Sequence, residues 1–282
     1  MNIGEVYREG KRLLVQAGCD SPDFDAGCLF EKVFGFDRQQ RILQSYAEAD
    51  AEKAERYLAL ARERAGGRPL QYILGEWPFL GMMLEVGEGV LVPREETELL
   101  VRTAAEMLKE RENPQIADLC AGTGAVALGL ASLLPDARVK AVEKFPAAMR
   151  FLRRNIKKTG LSRVEAVLLD VLDAASTEGF PALDAVVSNP PYVRREEIPT
   201  LQREVQREPH EALDGGEDGL VFYRAIAEIW LPKLKPGGVA AVEIGEGQAE
   251  DVAKLFAGTL EKIHVFRDLN GIERVVSGMR RA

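Results

Sequence analysis

The chain has 282 residues, of which 46% are hydrophobic and 29% charged, with a net charge of −8; that is room for two ordinary domains of roughly 100–200 residues. The acidic balance argues against a broad grip on nucleic acid while leaving room for a small basic groove, and no uninterrupted apolar run reaches the ~18 residues of a membrane span. Cys19, Cys28 and Cys120 form no C-x-x-C pair and no metal cluster surrounds His210 or His264, so neither a disulfide framework nor a metal site is expected and a reducing cytoplasm fits.

The first 75 residues read as helices. Ile3, Val6, Tyr7, Leu13 and Leu14 share one helical face. Ser21-Pro22-Asp23 supplies a cap, a first-position proline and an acidic first turn for a second helix ending near Gly35. Asp50 caps a third, over residues 51–65, which Gly66-Gly67 closes. Nothing here carries chemistry, and such helices suit a docking module as well as simple packing. Residues 77–86 and 90–92 are apolar runs around Gly87-Glu88-Gly89, which predicts a β-hairpin between domains. Pro93-Arg94-Glu95-Glu96-Thr97-Glu98 then opens a helix to about Lys109, its acidic first turn matching the positive helix start.

From residue 116 strands and helices alternate. Strands are expected at 116–120, 139–143, 164–169, 183–188 and 239–244, with two more at 262–266 and 273–277. Helices are expected at 124–134, 146–159, 219–234 and 248–256, with a turn at Lys235-Pro236-Gly237-Gly238. This order predicts parallel pairing, right-handed crossovers and an α/β, doubly wound domain. The expected division is a helical domain 1–75, a hairpin linker 76–93 and an α/β domain 94–282.

Ligands of open α/β sheets bind beyond the carboxyl ends of the strands, and four groups stand at such ends. Asp118-Leu119-Cys120-Ala121-Gly122-Thr123-Gly124 lets a ligand approach the backbone before a helix. Glu143 closes the next strand about 20 residues on, the spacing of a ribose-binding acid. Asp170-Val171 ends the third. The fourth is Asn189-Pro190-Pro191-Tyr192, whose prolines remove two N–H donors and hold Asn189 and Pro190 extended. The result is a stiff rim with two acceptors, the Asn189 side-chain oxygen and the Pro190 carbonyl, beside the flat face of Tyr192. It suits a planar NH2 group, whose two protons need two acceptors. Alone, the same residues also describe a proline-stiffened turn, and each strand-end acid could be simply solvated. The four in register point to a nucleoside-bearing cofactor. NAD fits the relaxed fingerprint Gly122-Thr123-Gly124-Ala125-Val126-Ala127, but no suitably placed hydride-transfer acid accompanies it. S-adenosylmethionine accounts for all four groups: ribose on Glu143, adenine amine on Asp170, the methionine portion at the glycine turn and the methyl facing Asn189.

These residues resemble the class I S-adenosylmethionine-dependent methyltransferases, and more closely the release factor glutamine methyltransferases (the PrmC/HemK family). The likeness spans nearly the whole chain: the helical segment, 68–75 (RPLQYILG), 92–98 (VPREETE), the glycine turn, and Asn189-Pro190-Pro191-Tyr192. Glu208-Pro209 with 212–220 (ALDGGEDGL), and 268–271 (DLNG) with 273–275 (ERV), complete it. The resemblance implies a Rossmann-like methyltransferase domain behind a small substrate-docking helical domain. It implies methylation of the side-chain amide of the glycine-glycine-glutamine motif of class 1 peptide chain release factors. Asn189, Pro190 and Tyr192 would be catalytic, and Asn189, Pro190, Pro191 and Tyr192 would bind substrate. Thr97, Cys120, Ala121, Gly122, Thr123, Gly124, Glu143, Asp170, Val171 and Asn189 would bind the cofactor. Neither a metal, a membrane nor direct nucleic-acid binding is expected. One departure is Cys120, where the family's turn usually has glycine; since Cys favours negative φ, a local change of the turn is expected there. The rival reading is a nucleic-acid amino-methyltransferase acting on adenine N6 or cytosine N4, because Asn-Pro-Pro-Tyr occurs there too.

Overall fold

The computed structural model describes residues 1–282, apart from the side chain of Ser176. Two compact units emerge, Met1–Glu76 with Gln202–Arg207, and Trp77–Leu201 with Glu208–Ala282.

The first unit holds α1 (Ile3–Gln16), α2 (Pro22–Phe34), α3 (Arg38–Leu43), α4 (Ala51–Ala65) and α5 (Leu70–Leu74). Asn2 and Glu5 form a reciprocal capping box on α1, and Asp50 caps α4 through the Lys53 amide at 2.9 Å. Ser21 makes no such bond, so Pro22 and the acidic first turn start α2 unaided. Val6, Leu14, Leu29, Phe30, Tyr57 and Ala61 are fully buried. α1 meets α4 closely because Gly10 has no side chain; a Cβ there would lie 2.4 Å from the Tyr57 ring. Arg64, 5% exposed, bridges Asp25 at 2.7 Å and Glu204 at 2.8 Å. That second bridge ties 202–207 to this unit, although the expected division put those residues in the α/β domain. A desolvated guanidinium needs both partners, and sequence distance does not enter.

A hairpin of β1 (Glu76–Phe79) and β2 (Met82–Glu85) follows, all of it but Glu76 in the second unit. Its turn is Leu80-Gly81, at φ 46° and 76°, and not the expected Gly87–Gly89. Two successive positive φ values match the strand twist, and the Leu80 amide is held by the Glu98 carboxylate at 2.9 Å. Residues 90–92 form no strand. α6 (Thr97–Leu108) begins four residues later than Pro93.

The sheet comprises β3 (Gln115–Leu119), β4 (Arg138–Glu143), β5 (Val164–Leu168), β6 (Leu183–Ser188), β7 (Leu234–Glu243), β8 (Leu260–Arg267) and β9 (Glu273–Arg280). Their spatial order is β5-β4-β3-β6-β7-β9-β8, with the first five parallel and β9 antiparallel to both neighbours. No helix separates β8 from β9, so the parallel rule stops there. Alternate strand residues feed two cores. Ile116, Val139, Ala185, Val187 and Ala241 face α6, α7 (Ala125–Leu133) and α8 (Pro146–Thr159). Ala117, Val142, Val186 and Val242 face α9 (Val221–Ala225) and α10 (Ala249–Phe256). Helices on both faces make this the doubly wound α/β fold.

Two local expectations change. Lys235–Gly238 is no separate turn but part of β7, with a register shift where Leu183 pairs with Leu234 and Ala185 with Val239. The helix expected over 219–234 is α only to Ala225, then widens to a π-type stretch at Ile226–Trp230 and tightens at Leu231–Lys233. Pro232 lacks the N–H that an α-turn needs there.

Candidate active site

Asp170, Glu143, the 120–124 turn and Asn189 follow the neighbouring strands β5, β4, β3 and β6, and the sheet order sets them side by side. They surround a cavity of about 380 Å³, within the second unit. Its walls include Thr97, Cys120, Ala121, Gly122, Thr123, Glu143, Asp170, Val171, Asn189 and Pro191. Gly124, Pro190 and Tyr192 are not among the lining residues.

The turn after β3 is a run of left-handed residues: Cys120 at φ 60°, Gly122 at 55° and Gly124 at 85°. Cys120 thus takes a positive φ, the left-handed region that favours glycine, and not the negative φ that suits a Cys side chain. The neighbouring backbone bonds, Ala121 N to Val142 O at 2.9 Å and Gly124 N to Ala121 O at 2.7 Å, hold the chain there. Burial pushes the Cys120 thiol well above its ordinary pKa. A Cβ on Gly122 would meet only Val90, at 3.8 Å, so this backbone opens on the cavity. On Gly124 it would lie 2.5 Å from Leu152, so this glycine serves close packing.

Two carboxylates fix the turn. Glu143 accepts from the Gly122 amide at 2.9 Å and the Phe145 amide at 2.7 Å. Burial raises its pKa against those bonds. Asp118, 1% exposed, accepts from the Ala127 amide at 2.9 Å. It thereby caps α7, whose N-cap Gly124 has no side chain to do so. Asp170 lies on the cavity wall paired with Lys144 at 2.8 Å. Partial burial works against its charge, but Lys144 and the Leu172 amide outweigh that and hold the carboxyl below the usual range.

At the end of β6, Asn189 is half-buried and its Nδ2 donates to Thr97 Oγ1 at 3.1 Å. Among the described residues no donor is bonded to its Oδ1. Pro190 and Pro191 are buried. Tyr192 is held at both ends: its carbonyl accepts from Gln248 Nε2 at 3.0 Å, and its hydroxyl donates to Glu243 Oε1 at 3.4 Å. Sequence reasoning missed Glu243. It closes β7, the strand beside β6, and is 2% exposed. The signal was present: Val239–Val242 is an apolar run ending in a carboxylate, as in β4. Burial pushes the Glu243 carboxyl up to about 7. Glu208 was also overlooked as a site residue. Its buried carboxylate accepts from the Val92 amide at 2.8 Å and pairs with Arg94, joining two walls of the cavity.

The model of the "PrmC N-terminal domain" matches residues 5–75, and that of the "Methyltransferase small domain" matches 95–227. A release factor glutamine methyltransferase of Moorella thermoacetica is 36% identical over 100% of this chain and 99% of its own. The chain belongs to the release factor glutamine methyltransferase family. Another family member, from Caulobacter vibrioides, is 35% identical over 99% of this chain and 97% of its own. A solved methyltransferase from Pyrococcus furiosus, 18% identical, covers 72% of this chain and 91% of its own at a TM-score of 0.51, which shows the shared α/β fold. Membership of this methyltransferase family favours the main reading over the nucleic-acid alternative. No helix is long and apolar enough to cross a membrane, and among the described residues no cluster could hold a metal.

Proposed function

We propose that the chain methylates the side-chain amide nitrogen (N5) of the glutamine in the glycine-glycine-glutamine motif of class 1 peptide chain release factors, using S-adenosylmethionine. The observation that carries this is Asn189, on the cavity wall with its amine end bonded to Thr97 and its oxygen unclaimed.

The cavity fits the cofactor in size and in donor set. Its 380 Å³ lies in the usual range of small-molecule sites, about 300–1,000 Å³. Gly122 presents open backbone, Glu143 stands at the strand end proper to a ribose, and Asp170 lines the same cavity. Val90, Val142, Val171 and Phe145 add apolar lining. When bound, S-adenosylmethionine supplies a methyl carbon whose old bonding pair returns to sulfur as the new C–N bond forms.

The chain's own residues make the amide a competent nucleophile. Its lone pair is delocalised into the carbonyl, so acceptors on both N–H groups are needed to localise density on nitrogen. Asn189 Oδ1 and the Pro190 carbonyl accept hydrogen bonds from those N–H groups, which would orient the nitrogen toward the methyl the cofactor supplies. Such positioning lowers a barrier by up to ~7–11 kcal/mol. The acceptors strengthen as positive charge develops on nitrogen, which favours the transition state. Tyr192 excludes water beside the amide, and the surplus proton leaves to solvent. The helical domain 1–75 serves as docking surface for the release factor, and on this reading the protein works in the cytoplasm.

Mass spectrometry of a folded release factor, incubated with the protein and S-adenosylmethionine, tests the reading. One methyl group on the motif glutamine is the expected result. Methyl transfer to DNA or RNA and none to the factor would instead support the amino-methyltransferase reading.

A further inference from the structure

We propose that Leu269, at the tip of the β8–β9 hairpin, anchors the release factor by entering an apolar hollow of the folded substrate beside its glutamine motif. This rests on the proposed activity and adds a residue outside the cavity that selects a whole protein over a bare amide.

β9 runs antiparallel to β7, with Val275 opposite Glu243 and the Arg274 carbonyl accepting from the Ile244 amide at 2.9 Å. The β8–β9 turn therefore stands at the carboxyl edge of the parallel strands, the edge that carries Asn189. Neighbouring strands lie about 4.8 Å apart, and β7 alone separates β9 from β6, so the two are about 10 Å apart. From Val275 back to Ile272 is another ~10 Å of extended chain, which carries the tip past the end of β7. A stable protein contact covers about 800 Å² on each partner, a patch about 16 Å in radius. A folded factor whose glutamine meets Asn189 therefore comes down on the tip as well.

The tip is held in one shape by its own polar groups. The Asp268 carbonyl accepts from the Gly271 amide at 3.0 Å, and the Asp268 amide donates to the Ile272 carbonyl at 2.9 Å. The Asp268 carboxylate accepts from the amides of Asn270 at 2.9 Å and Ile272 at 3.0 Å, and from Arg274 Nε at 3.0 Å. Arg267 closes the other side, on the Gly271 carbonyl at 2.8 Å and on Glu273 at 2.6 Å. In the middle of this network Leu269 is 102% exposed, covered by nothing in its own chain. A leucine on a loose loop is ordinary surface. Here the turn fixes the side chain in advance, so little order is lost when a partner covers it. Over 267–274 two arginines balance Asp268 and Glu273, and both are paired within the hairpin. The tip thus has no spare charge for a polyanion, and an apolar contact is what it has to give.

Leu269→Asp and Leu269→Met test this. Both are expected to melt with wild type and to bind S-adenosylhomocysteine as wild type does, since the side chain packs against nothing in its own chain. With a folded release factor, Leu269→Asp is expected to raise KM at least about 10-fold and leave kcat within about 2-fold, because the lost contact is the same in ground and transition states. Leu269→Met, apolar and of similar volume, is expected to stay within about 3-fold of wild type. A second measurement needs no turnover: calorimetric titration of the factor into protein loaded with S-adenosylhomocysteine is expected to show the same loss of affinity in the Asp variant. KM and Kd within about 2-fold of wild type for Leu269→Asp overturn the proposal and leave the proposed function standing. So does a loss confined to kcat, or a Met variant as impaired as the Asp variant. A wild type that binds the factor without methylating it overturns that function, while the binding comparison still decides the role of Leu269. A wild type that does neither overturns both.

Discussion

The buried Glu208 carboxylate accepts a hydrogen bond from the Val92 amide at 2.8 Å, across 116 residues of chain. It also pairs with Arg94, so one side chain fastens the 89–94 wall of the cavity to the 208–212 wall. Glu208→Ala leaves a buried N–H unsatisfied, which costs about 1–3 kcal/mol. Unfolding in urea is expected to show that loss. Calorimetric titration with S-adenosylhomocysteine is expected to show about 10-fold weaker binding, since 1.4 kcal/mol is a factor of ten. Unchanged affinity would mean that the wall stands without its fastening.

Asn189→Ala is expected to lower kcat by about 100-fold or more, by analogy with the loss of one oriented polar group in a site of this kind. Its side chain makes one hydrogen bond within the protein, to Thr97, so the melting temperature is expected to change little. Steady-state methylation of a folded release factor measures the effect, and near-normal turnover would refute the assigned role.

Cys120 sits at φ 60°, where a side chain is strained by about 1–2 kcal/mol, partly offset by the extra chain entropy that glycine loses on folding. Cys120→Gly is therefore expected to stabilise the protein by about 0.5–1 kcal/mol. Denaturant midpoints of the two proteins measure this directly. A destabilised glycine variant would show that thiol packing outweighs the backbone strain.

Glu243 also makes stability depend on pH. Its folded pKa, about 7, is raised above the ordinary carboxylate value. Relative to Glu243→Gln, its contribution is fully present below about pH 4.5, falls as pH rises, and is lost once pH has passed through 7. At about 1.4 kcal/mol per pKa unit the swing is roughly 3 kcal/mol. Unfolding free energies of the pair at several pH values are expected to diverge in that direction, with the Gln variant the more stable one at pH 8. Parallel curves would show that Glu243 ionises like an exposed carboxylate.

Much of the site was legible because strand ends announce themselves. Apolar runs stopping at the 120–124 turn, Glu143, Asp170 and Asn189 carry four groups to one edge of the sheet, provided their strands run parallel. Glu243 needed more, since its meaning depends on β7 lying next to β6. The far-separated motifs around Val92-Pro93-Arg94 and Glu208-Pro209 were visible only as a resemblance; the structure gives it a cause, a single carboxylate gripping both. Leu80 is no turn residue by preference, so the hairpin was placed at the glycines instead. Glu204 joined the helical unit through a buried charge that no local pattern reveals. Gln248, which holds the Tyr192 carbonyl, likewise reads in sequence as an ordinary helix-starting residue.

β9 lies between β7 and β8 although it comes after both in the chain. While the polypeptide is being synthesised, residues 260–267 have no strand to pair with until 273–280 have left the ribosome. Until then the β7 edge, which ends in Glu243, offers its unpaired ladder to any passing strand. A pause in translation within that interval is the moment at which this molecule is most open to mispairing.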